Sequence, residues 1–268
     1  MITNAINSKP LIGVLLAFGL SGAAQATLID RGSGLIYDDQ LDITWLQDAN
    51  YAKTSGYDAD GRMNWGGAVV WAANLSYFDS VRNVTYTDWR LPFVVDTGTV
   101  GCNFAYTGTD CGYNVQTKTG ATVYSELAYL YYDNLGLLGF FDTAGAAQAN
   151  WGIFGNGTFN GTDNTSFGQN DVGLIDNLQA YVYWSGTEYA PFTWGFDTVV
   201  GYQGGAYDEI NDLYDWAVRP GDVAAVDGTV PEPATLALLA MGLFGMIGSQ
   251  ALRRERHGSR GFQGAQGA

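Results

Sequence analysis

Apolar and polar positions divide the chain into two uninterrupted hydrophobic runs at its ends and a patterned middle. The runs are Leu11 to Leu20 and Ala234 to Gly248. Between them, Trp65, Ala68, Val69, Ala72 and Leu75 recur at helical spacing behind Asn64, a good capping residue, and predict a first helix. Ser125 opens a second, with Leu127, Leu130 and Tyr131 turned inward and Gly136 suited to ending it. Short runs rich in β-branched and aromatic residues predict strands at Leu35 to Tyr37, Ile43 to Leu46, Tyr181 to Trp184, Trp194 to Thr198 and Trp216 to Val218. Asn156 to Asp171 is rich in Gly, Asn, Thr and Asp and reads as an exposed loop. The expected class is α+β, with both helices in the first half and most strands late.

The terminal runs are addresses rather than fold. Lys9, the run Leu11 to Leu20 and Ala24-Gln25-Ala26 form a signal peptide over residues 1–26, which predicts a mature chain starting at Thr27 after signal peptidase. The run is too short for a membrane span, which needs roughly 20 apolar residues. At the other end Pro231, Glu232 and Pro233 precede a segment, Ala234 to Leu252, that as a helix would reach about 28 Å at about 1.5 Å per residue, close to a bilayer core. Arg253, Arg254 and Arg256 would stay on the cytoplasmic side and leave the large domain outside. Pro-Glu-Pro, a short apolar helix and an arginine cluster together resemble the PEP-CTERM sorting signal, here residues 230–256. The resemblance implies the membrane protease exosortase as processing partner, an inner-membrane-anchored intermediate, and a destination in the envelope, at the cell surface or in an extracellular matrix. Residues 257–268 add a Gly/Gln/Ala-rich tail, read as disordered, that departs from the family pattern. An ordinary stop-transfer anchor is the alternative.

Residues 27–229 form one domain, with no internal linker or charge block. It carries 7 basic against 25 acidic residues, a formal charge of −18. No basic cluster is available to replace the counterions of a phosphate backbone, so nucleic acid is not an expected partner. The only histidine, His257, lies beyond the predicted span, which removes Ser-His-Asp triads, Cys-His pairs and histidine-bearing zinc sites from the domain. Cys102 and Cys111 are the only cysteines and, in an oxidising compartment, read as one disulfide. Their spacing argues against a redox pair of the Cys-x-x-Cys kind.

Four stretches occur in order: Thr44 to Ala49 (TWLQDA), Trp89 to Pro92 (WRLP), Trp184 to Glu188 (WSGTE) and Trp216 to Gly221 (WAVRPG). They resemble the DUF1566 or Lcl C-terminal-type domain over roughly Gly34 to Asp222, which implies a C-type-lectin-like fold, distantly related to the sulfatase-modifying domain. Trp89 and Trp216 are expected in the core, with Arg90 and Arg219 holding carbonyls or carboxylates nearby. The competing reading has these arginines hold an anionic ligand.

Three kinds of site follow. Trp194, Tyr202 and Tyr207, beside Asp208 or Asn211, would stack on sugar rings if exposed and serve the core if buried. Asp208, Glu209, Asn211, Asp212 and Asp215 supply oxygen donors that suit calcium, with Asp208, Asp212 and Asp215 as the candidate ligands, or else form a solvated turn. Asp58-Ala59-Asp60-Gly61 begins like an EF-hand loop, but Val69 stands where the closing bidentate carboxylate belongs. Asp197 and Asp208 are carboxylates of the kind a glycosidase pairs, although no spacing singles them out. No catalytic residues or cofactor other than calcium are assigned. The expectation is a non-catalytic exported domain that binds exopolysaccharide; a structural matrix protein without a ligand site, and a glycan-active enzyme, are the other classes.

Overall fold

The computed structural model describes residues 28–97, 106–153, 169–189, 192–207 and 210–223. In chain order the first strands are β1 (Leu28–Gly32), β2 (Leu35–Asp38) and β3 (Ile43–Leu46), followed by helix α1 (Tyr51–Thr54) and strand β4 (Arg62–Met63). Helix α2 (Trp65–Asn74), the hairpin β5 (Tyr77–Asp79) and β6 (Val84–Tyr86), and the short strands β7 (Gly112–Tyr113), β8 (Lys118–Thr119) and β9 (Thr122–Val123) come next. Helix α3 (Glu126–Tyr129) runs into a wider π turn at Leu130–Asn134. The later strands are β10 (Gln169–Val172), β11 (Ile175–Gln179), β12 (Val182–Tyr189), β13 (Phe192–Asp197), β14 (Tyr202–Tyr207), β15 (Leu213–Tyr214) and β16 (Val218–Pro220).

Two sheets organise the compact unit that ends at Val223. The first has the order β1-β2-β3-β16, so the last strand closes against the early hairpin with Val218 opposite Trp45. The second has the order β4-β15-β12-β13-β14-β7, antiparallel except where β12 and β15 run parallel. Pairing of distant segments such as β4 with β15 and β7 with β14 joins early and late chain into one core. That core holds the fully buried Trp45, Trp71, Trp184, Trp216, Tyr183 and Phe196. Large aromatics bury their area at a polar cost, which backbone carbonyls offset: Trp216 Nε1 donates to Leu46 O (2.8 Å) and Trp184 Nε1 to Met63 O (2.8 Å).

The coarse class is mostly β with short helices, and the two predicted helix starts are present. The Asn64 side chain accepts from Gly67 N (2.8 Å), and the Ser125 hydroxyl accepts from Ala128 N (3.1 Å). Leu127, Leu130 and Tyr131 face inward, and Gly136 takes the left-handed backbone (φ 62°). Four details differ. The buried face of α2 is Ala68, Trp71 and Ala72, while Val69 is exposed. A helix that sits on a sheet buries a stripe, and Trp71 is the large side chain within it. Strands are not mainly late, because β4 to β9 are two- and three-residue bridges too short to carry an alternating pattern. Trp216 precedes β16 rather than starting it. Gln169, Asn170 and Asp171, read as loop, belong to the β10–β11 hairpin; residues 156–168 of that stretch lie outside the described residues.

Candidate functional site

The long strands β12, β13 and β14 present two faces, because successive side chains point to opposite sides. In β13, Trp194 and Phe196 point one way, and Thr193, Gly195 and Asp197 the other. The register places Gly195 opposite Gly204 and Asp197 opposite Tyr202. The two facing glycines leave room for neighbouring side chains to fold over the sheet: a Cβ at Gly204 would lie 2.6 Å from the Tyr202 ring, and one at Gly195 2.9 Å from Val182 Cγ1. The result is a trough of about 240 Å³, lined by Gly195, Gly204, Gly205 and Ala206 as floor and by Tyr181, Val182, Asp197, Tyr202, Asn211 and Leu213 around it. This is below the ~300–1,000 Å³ that encloses drug-sized ligands and suits one small polar ring or a terminal group.

Asp197 and Tyr202 are positioned by the ends of their strands. Asp197 closes β13, and its Oδ1 accepts from Val199 N (2.8 Å) within the turn to β14. Burial raises its pKa, which the Val199 and Val200 amides partly offset. The Tyr202 ring lies over Gly204, where a Cβ would come within 2.6 Å of ring carbon Cε1. It meets Tyr113 edge-on at 5.2 Å, with its hydroxyl 3.8 Å from Cys111 Sγ. The arrangement offers an aromatic ring, a carboxylate and an amide around an apolar floor, which is a set suited to stacking and hydrogen bonding rather than to forming bonds.

The predicted site residues separate. Tyr202, Asn211 and Asp197 meet at the trough. Trp194 does not, because it sits on the opposite face of β13, 2 % exposed and stacked on Tyr189 at 4.8 Å. It offers no open face for a sugar. The side chain of Tyr207 and all of Asp208 and Glu209 lie outside the described residues, as do Cys102 and the sorting residues Pro231, Glu232, Pro233, Arg253, Arg254 and Arg256. Cys111 is fully buried. The proposed calcium ligands do not share one environment: Asp212 is exposed while Asp215 is 1 % exposed. Among the described residues no three acidic side chains converge as a metal cluster, and no helix is long and apolar enough to cross a membrane. The predicted span from Ala234 lies outside them.

The two motif arginines have carboxylate partners. Arg90 holds Glu126 through two hydrogen bonds of 2.7 Å, and the same buried carboxylate accepts from Phe93 N (2.8 Å). Arg219 grips Asp88 at 2.9 and 3.0 Å and lies over the Tyr86 ring at 4.3 Å. Both arginines therefore tie segments together. Sequence reasoning missed Tyr181, whose place at the trough comes from β12 starting at Val182. It also missed a second cleft of about 170 Å³ between Asp48 and Asp176, with Tyr51 and Tyr77 alongside. Asp48 belongs to the first motif, but a distant hairpin brings Asp176 to it, through Ala49 N donating to Asp176 O (2.9 Å).

Among known proteins, the PEP-CTERM protein-sorting motif matches residues 229–254. No curated protein and no solved structure matches the chain. The motif supports an exported protein that passes through a membrane-anchored intermediate and is processed by exosortase.

Proposed function

We propose that the sorted domain is a non-catalytic module of the cell surface or extracellular matrix that binds saccharide in the glycine-floored trough. The observation that carries this reading is the trough itself, where the Tyr202 ring lies over Gly204 beside the apolar Val182, Ala206 and Leu213, with Asp197 and Asn211 at its edge. A pyranose has an apolar face for the floor and ring, and hydroxyls for the carboxylate and amide. The four Trp-containing motifs support a lectin-like scaffold of the DUF1566 type, in which the tryptophans and the Arg90 and Arg219 pairs are structural. A Cys102–Cys111 disulfide belongs to the same reading and suits an oxidising compartment.

Affinity electrophoresis through gels containing the exopolysaccharide of the producing culture tests the site. The chain should be retarded, and Tyr202→Ala should weaken retention at least tenfold while staying folded, with a melting temperature lowered only by the loss of its packing against Tyr113. Equal retention of both proteins would remove the trough from the account. The burial of Trp194 favours a second reading, a structural matrix protein without a ligand site. In that case neither protein is retarded.

A further inference from the structure

The trough holds one acidic side chain and no counter-charge. In the register of β12, β13 and β14, Val182, Asp197 and Tyr202 stand opposite one another in a single row. The carboxylate thus sits between an apolar side chain and an aromatic ring. Among the described residues, Asp197 is the only Asp, Glu, Lys or Arg that lines the trough. Its Oδ1 accepts from Val199 N (2.8 Å). Burial raises its pKa, and only the Val199 and Val200 amides act against that effect. The base that has Tyr181 as a neighbour, Arg62 on β4, is turned to Asp60 at 3.0 and 2.7 Å.

This imbalance separates one class of sugar from the others. A neutral hydroxyl can bond the carboxylate but leaves its charge unbalanced in a poorly hydrated place. A uronate would set a second negative charge beside it. A primary ammonium brings a positive charge and three donors, which a carboxylate and the side-chain oxygen of Asn211 can share. The Tyr202 and Tyr181 rings supply aromatic surface of the kind that favours a cation. The formal charge of −18 on the domain works in the same direction at longer range, attracting cations and repelling acidic glycans.

We infer that the trough selects amine-bearing saccharides, hexosamines with a free amino group, and that Asp197 is the residue that sets this selectivity. The inference rests on the trough being the saccharide site and adds the class of sugar it takes.

Calorimetry of the full chain with three disaccharides tests it: a glucosamine dimer, the same dimer N-acetylated, and digalacturonate. Salt at about 0.15 M shortens the reach of the surface charge to about 8 Å. The glucosamine dimer should bind at least tenfold more tightly than its acetylated form, and digalacturonate should give no heat. Asp197→Asn keeps the oxygen that accepts from Val199 N and should bring the two glucosamine affinities within twofold. Asn211→Asp adds a second carboxylate and should widen the preference at least threefold, so the test does not depend on one variant folding. Asp212→Asn removes an exposed charge outside the lining and should leave the preference unchanged.

Three results would overturn the inference, and they are distinguishable from failure of the trough itself. Equal affinity for the free and acetylated dimers, with Tyr202→Ala weakening both, would leave a saccharide trough without charge selectivity. A preference for the amine that survives Asp197→Asn would assign it to the acidic surface at large. No heat from any dimer would remove the inference alone if exopolysaccharide retention still depends on Tyr202, and the trough as well if it does not.

Discussion

Glu126 shows how much one side chain organises. It is 1 % exposed and accepts from the Arg90 guanidinium and from Phe93 N, so it joins the Trp-Arg-Leu-Pro segment to the start of α3. Arg90 is itself partly exposed, which softens the penalty of leaving it unpaired. We expect Glu126→Gln to cost about 2 kcal/mol in chemical denaturation. Arg219→Ala loses a more exposed pair and a contact with the Tyr86 ring, and should cost about 1 kcal/mol. If Arg219→Ala melts normally yet loses a ligand, the structural role assigned to it is wrong. These residues were legible because two of the four motifs, Trp89 to Pro92 and Trp216 to Gly221, set an Arg near a Trp, and a buried Trp beside an Arg demands carbonyls and carboxylates close by. Which of its two roles Trp194 takes was not legible, for a physical reason. Its neighbours Thr193 and Gly195 say nothing about which face is apolar, so only the register with Gly205 shows which way it points.

At the scale of elements, the helix caps were readable and the helix bodies less so. Asn64 caps α2 through a single hydrogen bond, and Asn64→Ala should cost about 1 kcal/mol, visible as a lower denaturation midpoint. Ser125→Ala should cost more, because the same buried hydroxyl also donates to Gln203 Oε1 (2.7 Å) and so links α3 to β14. An equal loss for the two variants would contradict that link. A cap is a local signal, since one oxygen meets an amide three residues on. Which side of α2 is buried is not local: Val69 and Trp71 are both apolar, and β12 and β4 decide between them. The two-residue strands β4, β7 and β15 exist only because distant segments pair, and no window along the chain contains that information. The trough shares this property, since Tyr181, Asp197, Tyr202 and Asn211 were visible as residues but their meeting is a consequence of register.

For the whole molecule, charge is the property that sequence reports best and that pH exposes most easily. Burial raises the pKa of Asp38, Asp197 and Asp215. Protonation of such a group favours the folded chain, so its contribution is fully present below the unfolded value of about 3.9 and is lost as pH rises through the higher folded value. Asp88, lowered by its hydrogen bonds to Arg219 against the effect of burial, acts in the opposite sense, and its contribution fades only as pH falls below the ordinary carboxylate range. A domain carrying −18 also repels itself less when partly protonated. In EDTA the urea midpoint should therefore be higher at pH 5 than at pH 8, and Asp197→Asn should narrow the difference; a higher midpoint at pH 8 would contradict the assignment. Export and sorting were legible from the ends alone, because a targeting segment works as a linear pattern and needs no fold. The most direct test of that claim is mass spectrometry of the native protein recovered from the cell envelope and the culture medium. The account predicts a chain that begins near Thr27 and ends near Pro233, and recovery only of chains that retain residues 234–268 would contradict processing by exosortase.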